Sequence, residues 1–170
     1  ITRLSRYWNP RCYQGMNNRH LLFGSILLLF ATVASASGLP ETGHAGVIRY
    51  HTVKAFADVV FELNFAITEQ NFRITGRNTI GAGLRERGYE NFPDVEVIHF
   101  CSLELAREVL LLDPGFVAQM PCRITVHEND TETVISVIML PTDHVDERIN
   151  AFARRMNATL KAIGQFPLQP

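Results

Sequence analysis

Residues 121–140 read PCRITVHENDTETVISVIML, and this stretch decides the fold. Apolar and polar side chains alternate through residues 121–128, which is typical of a strand with one buried face. Asn129 and Asp130 indicate a turn, and residues 133–140 form a second apolar run rich in β-branched residues. The stretch therefore predicts a β-hairpin.

Outward from the hairpin, helical and strand patterns alternate along the chain. Periodicity predicts further strands at residues 47–52, 72–77 and 95–101, and helices at residues 54–70, 103–112 and 143–163, with a short helix within 78–88. Strands with a polar outer face that alternate with helices are typical of α+β proteins. We therefore expect one mixed or antiparallel sheet with helices packed on one face.

Helix ends are indicated by residues that satisfy terminal backbone groups. Thr52 is expected to cap the first long helix, and Ser102 the helix that Asp113-Pro114 stops. Gly164 is expected to end the last helix. The predicted buried stripe of that helix comprises Val145, Ile149, Phe152, Met156, Leu160 and Ile163.

The first 36 residues differ from the rest in charge. The chain has 16 basic and 17 acidic residues, yet residues 1–36 contain four arginines and no acidic residue. The remaining body is mildly acidic, with no basic stripe to favour nucleic acid. We expect one domain at residues 47–164, after a flexible segment at 37–46 and before a tail at 165–170.

Residues 16–36 are predicted to be a signal peptide. Met16 begins a basic segment, residues 21–34 are almost entirely apolar, and Ala34-Ser35-Ala36 is a small-residue cleavage site. The apolar run is shorter than the ~20 residues that a transmembrane helix needs. We expect cleavage after Ala36, delivery to the periplasm or outside the cell, and no stable membrane anchor. Residues 1–15 are interpreted as upstream sequence translated in frame.

Several motifs of the body resemble one known family. They are residues 99–107 (HFCSLELAR), Asp113-Pro114, residues 120–128 (MPCRITVHE), Leu140-Pro141, and residues 56–60 (FADVV) followed by Phe72. Residues 47–164 thereby resemble the domain-of-unknown-function family 302. The resemblance implies a compact α+β domain similar to TATA-binding-protein-like folds, but it implies no activity and no DNA binding. Many family members have other residues at positions 101 and 122.

Cys101 and Cys122 are the only cysteines in the predicted mature chain. In an exported protein two cysteines usually pair, so a Cys101–Cys122 disulfide is predicted, closing a loop of about 20 residues. If the two strands were parallel and joined by a helical crossover, the cysteines would lie at opposite ends of the sheet. Residues 115–120 would then have to lead the chain back.

The same cysteines suggest an alternative, a site of soft ligands. His99 and Cys101 are two apart on one strand, and Met120 and Cys122 are two apart on another. If the pairs meet, their sulfur and imidazole donors would suit copper(I), zinc or haem iron. A thiol redox pair is a weaker alternative, because the chain has no Cys-x-x-Cys.

No catalytic triad, paired-carboxylate motif or nucleotide fingerprint stands out in the sequence. We therefore expect an exported, non-enzymatic domain without a cofactor, which binds a small ligand or a periplasmic protein. An apolar cleft between sheet and helices is the expected site. The alternative is a metal-handling, haem-handling or thiol redox protein that uses His99, Cys101, Met120 and Cys122.

Overall fold

Antiparallel pairing organises the part of the chain that the computed structural model describes, residues 46–169. Five strands lie in the order β1-β5-β4-β3-β2, and each neighbouring pair is antiparallel. The strands are β1 (Val47–Thr52), β2 (Arg73–Thr79), β3 (Val95–Cys101), β4 (Cys122–Glu128) and β5 (Thr133–Ile138). The predicted single sheet of an α+β domain is confirmed.

Four α-helices connect or follow these strands. They are α1 (Phe56–Glu69), α2 (Ile80–Arg85), α3 (Leu103–Leu110) and α4 (Glu147–Gln165). Two 3₁₀ turns, Pro114–Gln119 and Phe166–Leu168, complete the elements of the described residues. Within residues 46–169 no helix is long and apolar enough to cross a membrane. The predicted signal peptide at 16–36, the segment 1–15 and nearly all of 37–46 lie outside the described residues.

The core lies between one face of the sheet and the long helices. Ile98 of β3 pairs with Ile124 of β4, which pairs with Val137 of β5, and all three side chains are completely buried. Helices α1 and α4 cover this face. From α1 the core takes Val59, Leu63 and Ile67, and from α4 it takes Ile149, Phe152, Met156, Leu160 and Ile163.

Two predicted helix starts were wrong. Val145 was expected in the buried stripe of α4, but it is 100% exposed because the helix begins only at Glu147. The carboxylate of Asp146 accepts a hydrogen bond from the Arg148 amide, which sets that start. Thr52 does not cap α1: its hydroxyl accepts from the Lys54 amide at 3.3 Å, and the helix starts after Ala55.

Ser102 precedes α3 as predicted, but its side chain does not cap the helix. Its hydroxyl instead donates to Glu104 at 3.2 Å. The next turn is capped: the Asp113 carboxylate accepts from the Gly115 amide at 2.8 Å and starts Pro114–Gln119.

Gly164 was expected to end α4, but the helix continues through it to Gln165. The glycine is buried where the helix comes nearest to the sheet. A β-carbon at this position would meet Cγ2 of Val137 and would lie 3.0 Å from Cε2 of Tyr50. Close approach of α4 to β1 and β5, rather than helix termination, is therefore what requires glycine here.

We predict that Gly164→Ala lowers the free energy of unfolding by about 1–3 kcal/mol, because the added methyl group overpacks the contact with Val137 and Tyr50. Chemical denaturation monitored by circular dichroism measures the change. Gly76→Ala is the control, because a β-carbon there meets nothing within 4 Å. Equal effects of the two substitutions would contradict the close-approach argument.

Candidate functional site

The antiparallel pairing of β3 with β4 places the two cysteines next to each other. Phe100 pairs with Cys122, and Cys101 is the following residue of β3. The parallel crossover considered from the sequence is wrong, because α3 and the turn Pro114–Gln119 lead the chain back to the end of β3 that it left. Neighbouring positions on paired strands lie within the ~7 Å alpha-carbon limit of a disulfide. Because Phe100, and not Cys101, is opposite Cys122, the two cysteine side chains leave the strands on opposite faces of the sheet. Both residues are free thiols here, and the disulfide remains a prediction.

Cys101 and Cys122 line one small cavity beneath the connection from β3 to β4. Met120 and Met156 line it as well, so four sulfur-containing residues contribute to its wall. We call it the sulfur cavity. Its volume of about 30 Å³ leaves room for one or two waters or an ion. The other lining residues are mainly apolar: Phe72, Leu105, Ala106, Phe116, Leu140 and Phe152, with Ser102 and Gln119 as the remaining polar ones.

His99 does not belong to this cavity. It pairs with Arg123 and Gly76, and its Nε2 lies 2.8 Å from Oδ1 of Asn78, an exposed side chain of β2. The four-residue set proposed from the sequence is therefore not assembled. Among residues 46–169 no group of three or more His, Cys, Asp or Glu side chains is placed to hold a metal ion.

Met156 is the cavity residue that sequence reasoning missed. Its position in the buried stripe of α4 was predicted, and it is 5% exposed. The sequence contains no local signal that would connect it to Cys101 or Cys122, because the three residues meet only through tertiary contact between α4 and the ends of β3 and β4.

Burial raises the pKa of the Cys122 thiol from its usual 9.0 to about 11. This value includes a smaller raising effect of the nearby Cys101 and a lowering effect of a backbone hydrogen bond. Within the described part of the chain, no basic residue lines the sulfur cavity to stabilise a thiolate. Cys122 is therefore protonated near neutral pH and lacks the lowered pKa of a catalytic cysteine.

A second concave feature is an open groove beside α4, which we call the α4 groove. Residues 46–48 and 139–143 form one side, and Arg154, Asn157, Ala158 and Lys161 form the other. These four residues recur at helical spacing and share one face of α4. The groove has a volume of about 970 Å³.

Asn157 fixes one wall of the α4 groove to the other. Its Oδ1 accepts from the Leu140 amide at 2.8 Å, and its Nδ2 donates to the Leu140 carbonyl at 2.9 Å. Satisfying both backbone groups of one residue holds the segment after β5 against the helix. The groove is therefore built on a rigid contact.

The charged groups of the α4 groove are mostly basic. Arg154 donates to Glu147, whereas Lys161 forms no ion pair with any residue among 46–169. Among residues 46–169, Asp143 is the only acidic residue that lines the groove. The exposed Lys161 ammonium is thus available to an anion.

The five-stranded antiparallel sheet under two long helices defines an α+β domain, and comparison with known proteins assigns its family. Residues 48–165 match the family model described as domain of unknown function DUF302, and the chain belongs to that family. It is similar to the crystal structure of an uncharacterized conserved DUF302 protein from Bacillus stearothermophilus. That similarity has a TM-score of 0.63 at 17% identity, covering 71% of this chain and 96% of the other.

No curated protein matches the chain. At 17% identity the Bacillus stearothermophilus structure shows the shared fold alone. The family assignment therefore agrees with the resemblance seen in the sequence, and function has to be argued from the α4 groove and the sulfur cavity.

We predict that Cys122 reacts slowly with iodoacetamide at pH 8, because a pKa of about 11 leaves about a hundredfold less thiolate than a pKa of 9.0 does. The rate is measured on the Cys122 peptide by mass spectrometry and is expected to rise steadily between pH 8 and 11. The urea-unfolded chain is the control, in which Cys122 should react much faster. Equal rates in the folded and unfolded chains at pH 8 would contradict the burial argument.

Proposed function

We propose that this protein is an exported binding domain that holds a small amphipathic anion in the α4 groove. One observation carries the proposal: an open groove of about 970 Å³ combines an apolar surface with a lysine that has no ion-pair partner among residues 46–169. Ligand sites in proteins are mostly concave and apolar, with a few polar groups that orient the ligand, and they measure ~300–1,000 Å³.

The apolar surface would hold the body of the ligand. Val47 and Ile48 of β1 and Met139, Leu140 and Pro141 after β5 line the groove opposite α4. Burial of ligand hydrocarbon against these side chains would supply most of the affinity, at about 25 cal/mol per Å² of apolar area. The Asn157 contact to Leu140 would reduce the ordering that binding requires.

The basic side chains would hold the anionic group. Arg154 and Lys161 are seven residues apart on α4, a rise of about 10 Å along the helix axis. The Arg154 guanidinium already donates to Glu147, so Lys161 is the better partner for a carboxylate or sulfonate. A compact anionic head at Lys161 with a hydrocarbon body toward residues 46–48 suits this arrangement.

Export is supported by the predicted signal peptide at residues 16–36. The basic segment after Met16, the apolar run of residues 21–34 and the small residues that end at Ala36 together have the order of a signal peptide. The ligand would then be met in the periplasm or outside the cell.

The sulfur cavity supports a second candidate function, metal or thiol chemistry. The supporting observation is that Cys101, Met120 and Cys122, three of the four residues proposed from the sequence, line one space. A haem is far larger than a cavity of about 30 Å³, so the haem alternative receives no support. A small ion fits the available space.

The groove is tested with 8-anilinonaphthalene-1-sulfonate, an amphipathic anion whose fluorescence rises on binding. We expect saturable binding of one dye per chain, and roughly tenfold weaker binding by Lys161→Glu, since reversing the charge places like charges together (about 1.4 kcal/mol). The control is Arg107→Glu, an equivalent charge reversal at an exposed residue of α3 outside the groove. Equal losses in the two variants, or no saturable binding, would refute the groove as a site.

Export is tested by expressing the chain with its own N-terminus and measuring the intact mass of the soluble product. We expect a periplasmic protein that begins at Ser37, because cleavage follows Ala36. A control with Leu27→Arg in the apolar run should remain uncleaved in the cytosol. Cytosolic product with an intact N-terminus from the unaltered chain would contradict the proposal.

A further inference from the structure

The register of the strands divides the sheet into two sets of residues, because positions directly opposite each other on paired strands point to the same face. One set, with Ile124 near its middle, belongs to the core beneath α1 and α4. The other set includes Arg73, which pairs with Cys101, and His99, which pairs with Arg123. Among residues 46–169, no strand residue of this second set belongs to the core cluster. We call its side of the sheet the open face.

The open face is basic. Its arginine and histidine side chains come from β1, β2, β3 and β4: they are Arg49, His51, Arg73, His99, Arg123 and His127. Within the described strands no Asp or Glu points to this face, although acidic residues outnumber basic ones in the chain after residue 36. Glu132, in the turn between β4 and β5, meets His51 at 2.7 Å, at the end of the face away from Arg73. The open face is therefore a positively charged surface on a mildly acidic domain.

The positive charges of the open face affect one another. Burial is the main cause of the lowered pKa of the His127 imidazole, and the positive charges of Arg49 and His51 contribute to it. A further positive charge is therefore unfavourable on this part of the face, whereas a negative group brought by a ligand would be stabilised.

Arg73 and Arg123 have no carboxylate partner among residues 46–169, and both are exposed. Six other basic side chains of the same residues each pair with a carboxylate: Lys54, Arg77, Arg85, Arg148, Arg154 and Arg155. A paired guanidinium has already used donors that the two unpaired groups can still offer to an anion. A ligand of the open face is thus expected to meet Arg73 and Arg123.

The spacing of these two arginines suits more than one carboxylate. They lie on β2 and β4, which flank β3, so the strand spacing alone separates them by about 10 Å. A guanidinium pairs with a carboxylate through two parallel hydrogen bonds, which favours one acidic side chain at each arginine. An extended chain spans this distance, since alternate side chains on one of its sides are about 7 Å apart.

We propose that the open face docks an acidic segment of a partner protein, with carboxylates on Arg73 and Arg123 and aliphatic side chains against the partly exposed Val97. Among the strands of residues 46–169 no Phe, Tyr or Trp points to this face, so the bases of a single-stranded nucleic acid would find no ring to stack on. A polyphosphate would also meet an acidic domain with few basic contacts, which opposes its binding. Neither arginine lines the α4 groove, and the proposal goes beyond the function proposed for that groove.

The test uses the full chain and a short dansyl-labelled peptide of alternating glutamate and valine, followed by fluorescence anisotropy. We expect saturable binding that weakens as salt is added, because salt screens exposed charge pairs. The matched peptide with glutamine in place of glutamate should not bind. Absence of binding by the glutamate peptide, or equal binding of the two peptides, would overturn the proposal.

Charge reversals locate the site. Arg73→Glu and Arg123→Glu are each expected to weaken peptide binding roughly tenfold, because each places like charges together. Arg107→Glu is the matched control and should bind as the unaltered chain does. Arg107 is exposed on α3, has no carboxylate partner among residues 46–169, and its reversal changes the net charge by the same amount. Equal losses in all three variants would show a response to net charge alone and would overturn the site.

Other anionic partners are distinguished in the same buffer. Oligothymidylate and vesicles of phosphatidylglycerol with phosphatidylcholine are titrated against the unaltered chain and Arg123→Glu, and we expect both to bind more weakly than the peptide. Binding of either that is as tight as that of the peptide, and is lost in Arg123→Glu, would overturn the choice of a protein partner. In sedimentation equilibrium, a dimer that Arg123→Glu dissociates would assign the open face to a second copy of this chain instead.

Thermal unfolding shows whether each variant is folded. If a glutamate variant does not fold, Arg73→Gln and Arg123→Gln remove the charge alone and make the same test, with a smaller expected loss. Lys161→Glu, which alters the α4 groove, should leave peptide binding unchanged, so the two proposals fail separately. A loss in Lys161→Glu equal to that in Arg123→Glu would overturn the open face as the site.

Discussion

The antiparallel pairing of β3 with β4 is the constraint on which the rest of the structure depends. It sets Ile98 against Ile124 at the centre of the core and Phe100 against Cys122 at its end. Because both strands meet at that end, the 20 residues between Cys101 and Cys122 have to form a cover rather than a crossover. That cover is α3 and Pro114–Gln119, and the sulfur cavity lies beneath it.

Local periodicity was enough to predict the helices and strands. The direction of the strands and the role of some residues depend on tertiary contacts, which periodicity does not show. The β4–β5 hairpin and the stripe of α4 from Ile149 to Ile163 followed from alternation and helical spacing, which depend only on near neighbours. The direction of β4 relative to β3 did not, since a 20-residue connection allows either direction. From the sequence alone, Gly164 likewise indicates a helix end. Its contact with Val137 in the folded protein shows instead that close packing requires the glycine.

The candidate sites were likewise predicted only in part, because the sequence indicates residue types and local spacing but not tertiary contacts. The sequence identified Cys101 and Cys122 as candidates, and β3 and β4 place them at neighbouring positions but on opposite faces of the sheet. It also added His99, whose partner on the sheet is the exposed Asn78, and it omitted Met156, which reaches the cavity from a helix over 30 residues later. The α4 groove joins three segments that are distant in sequence, so no motif could have indicated it.

The position of β1 has a consequence for how the protein is made. Among the strands of residues 46–169 this edge strand pairs only with β5, so Val47 has no partner in that sheet until Ile138 has been synthesised. Pairing over such a sequence separation is slow, because a long loop has to close before any contact is gained. A nascent chain of this topology therefore meets the ribosome exit, its chaperones or a translocation pore with its first strand still unpaired.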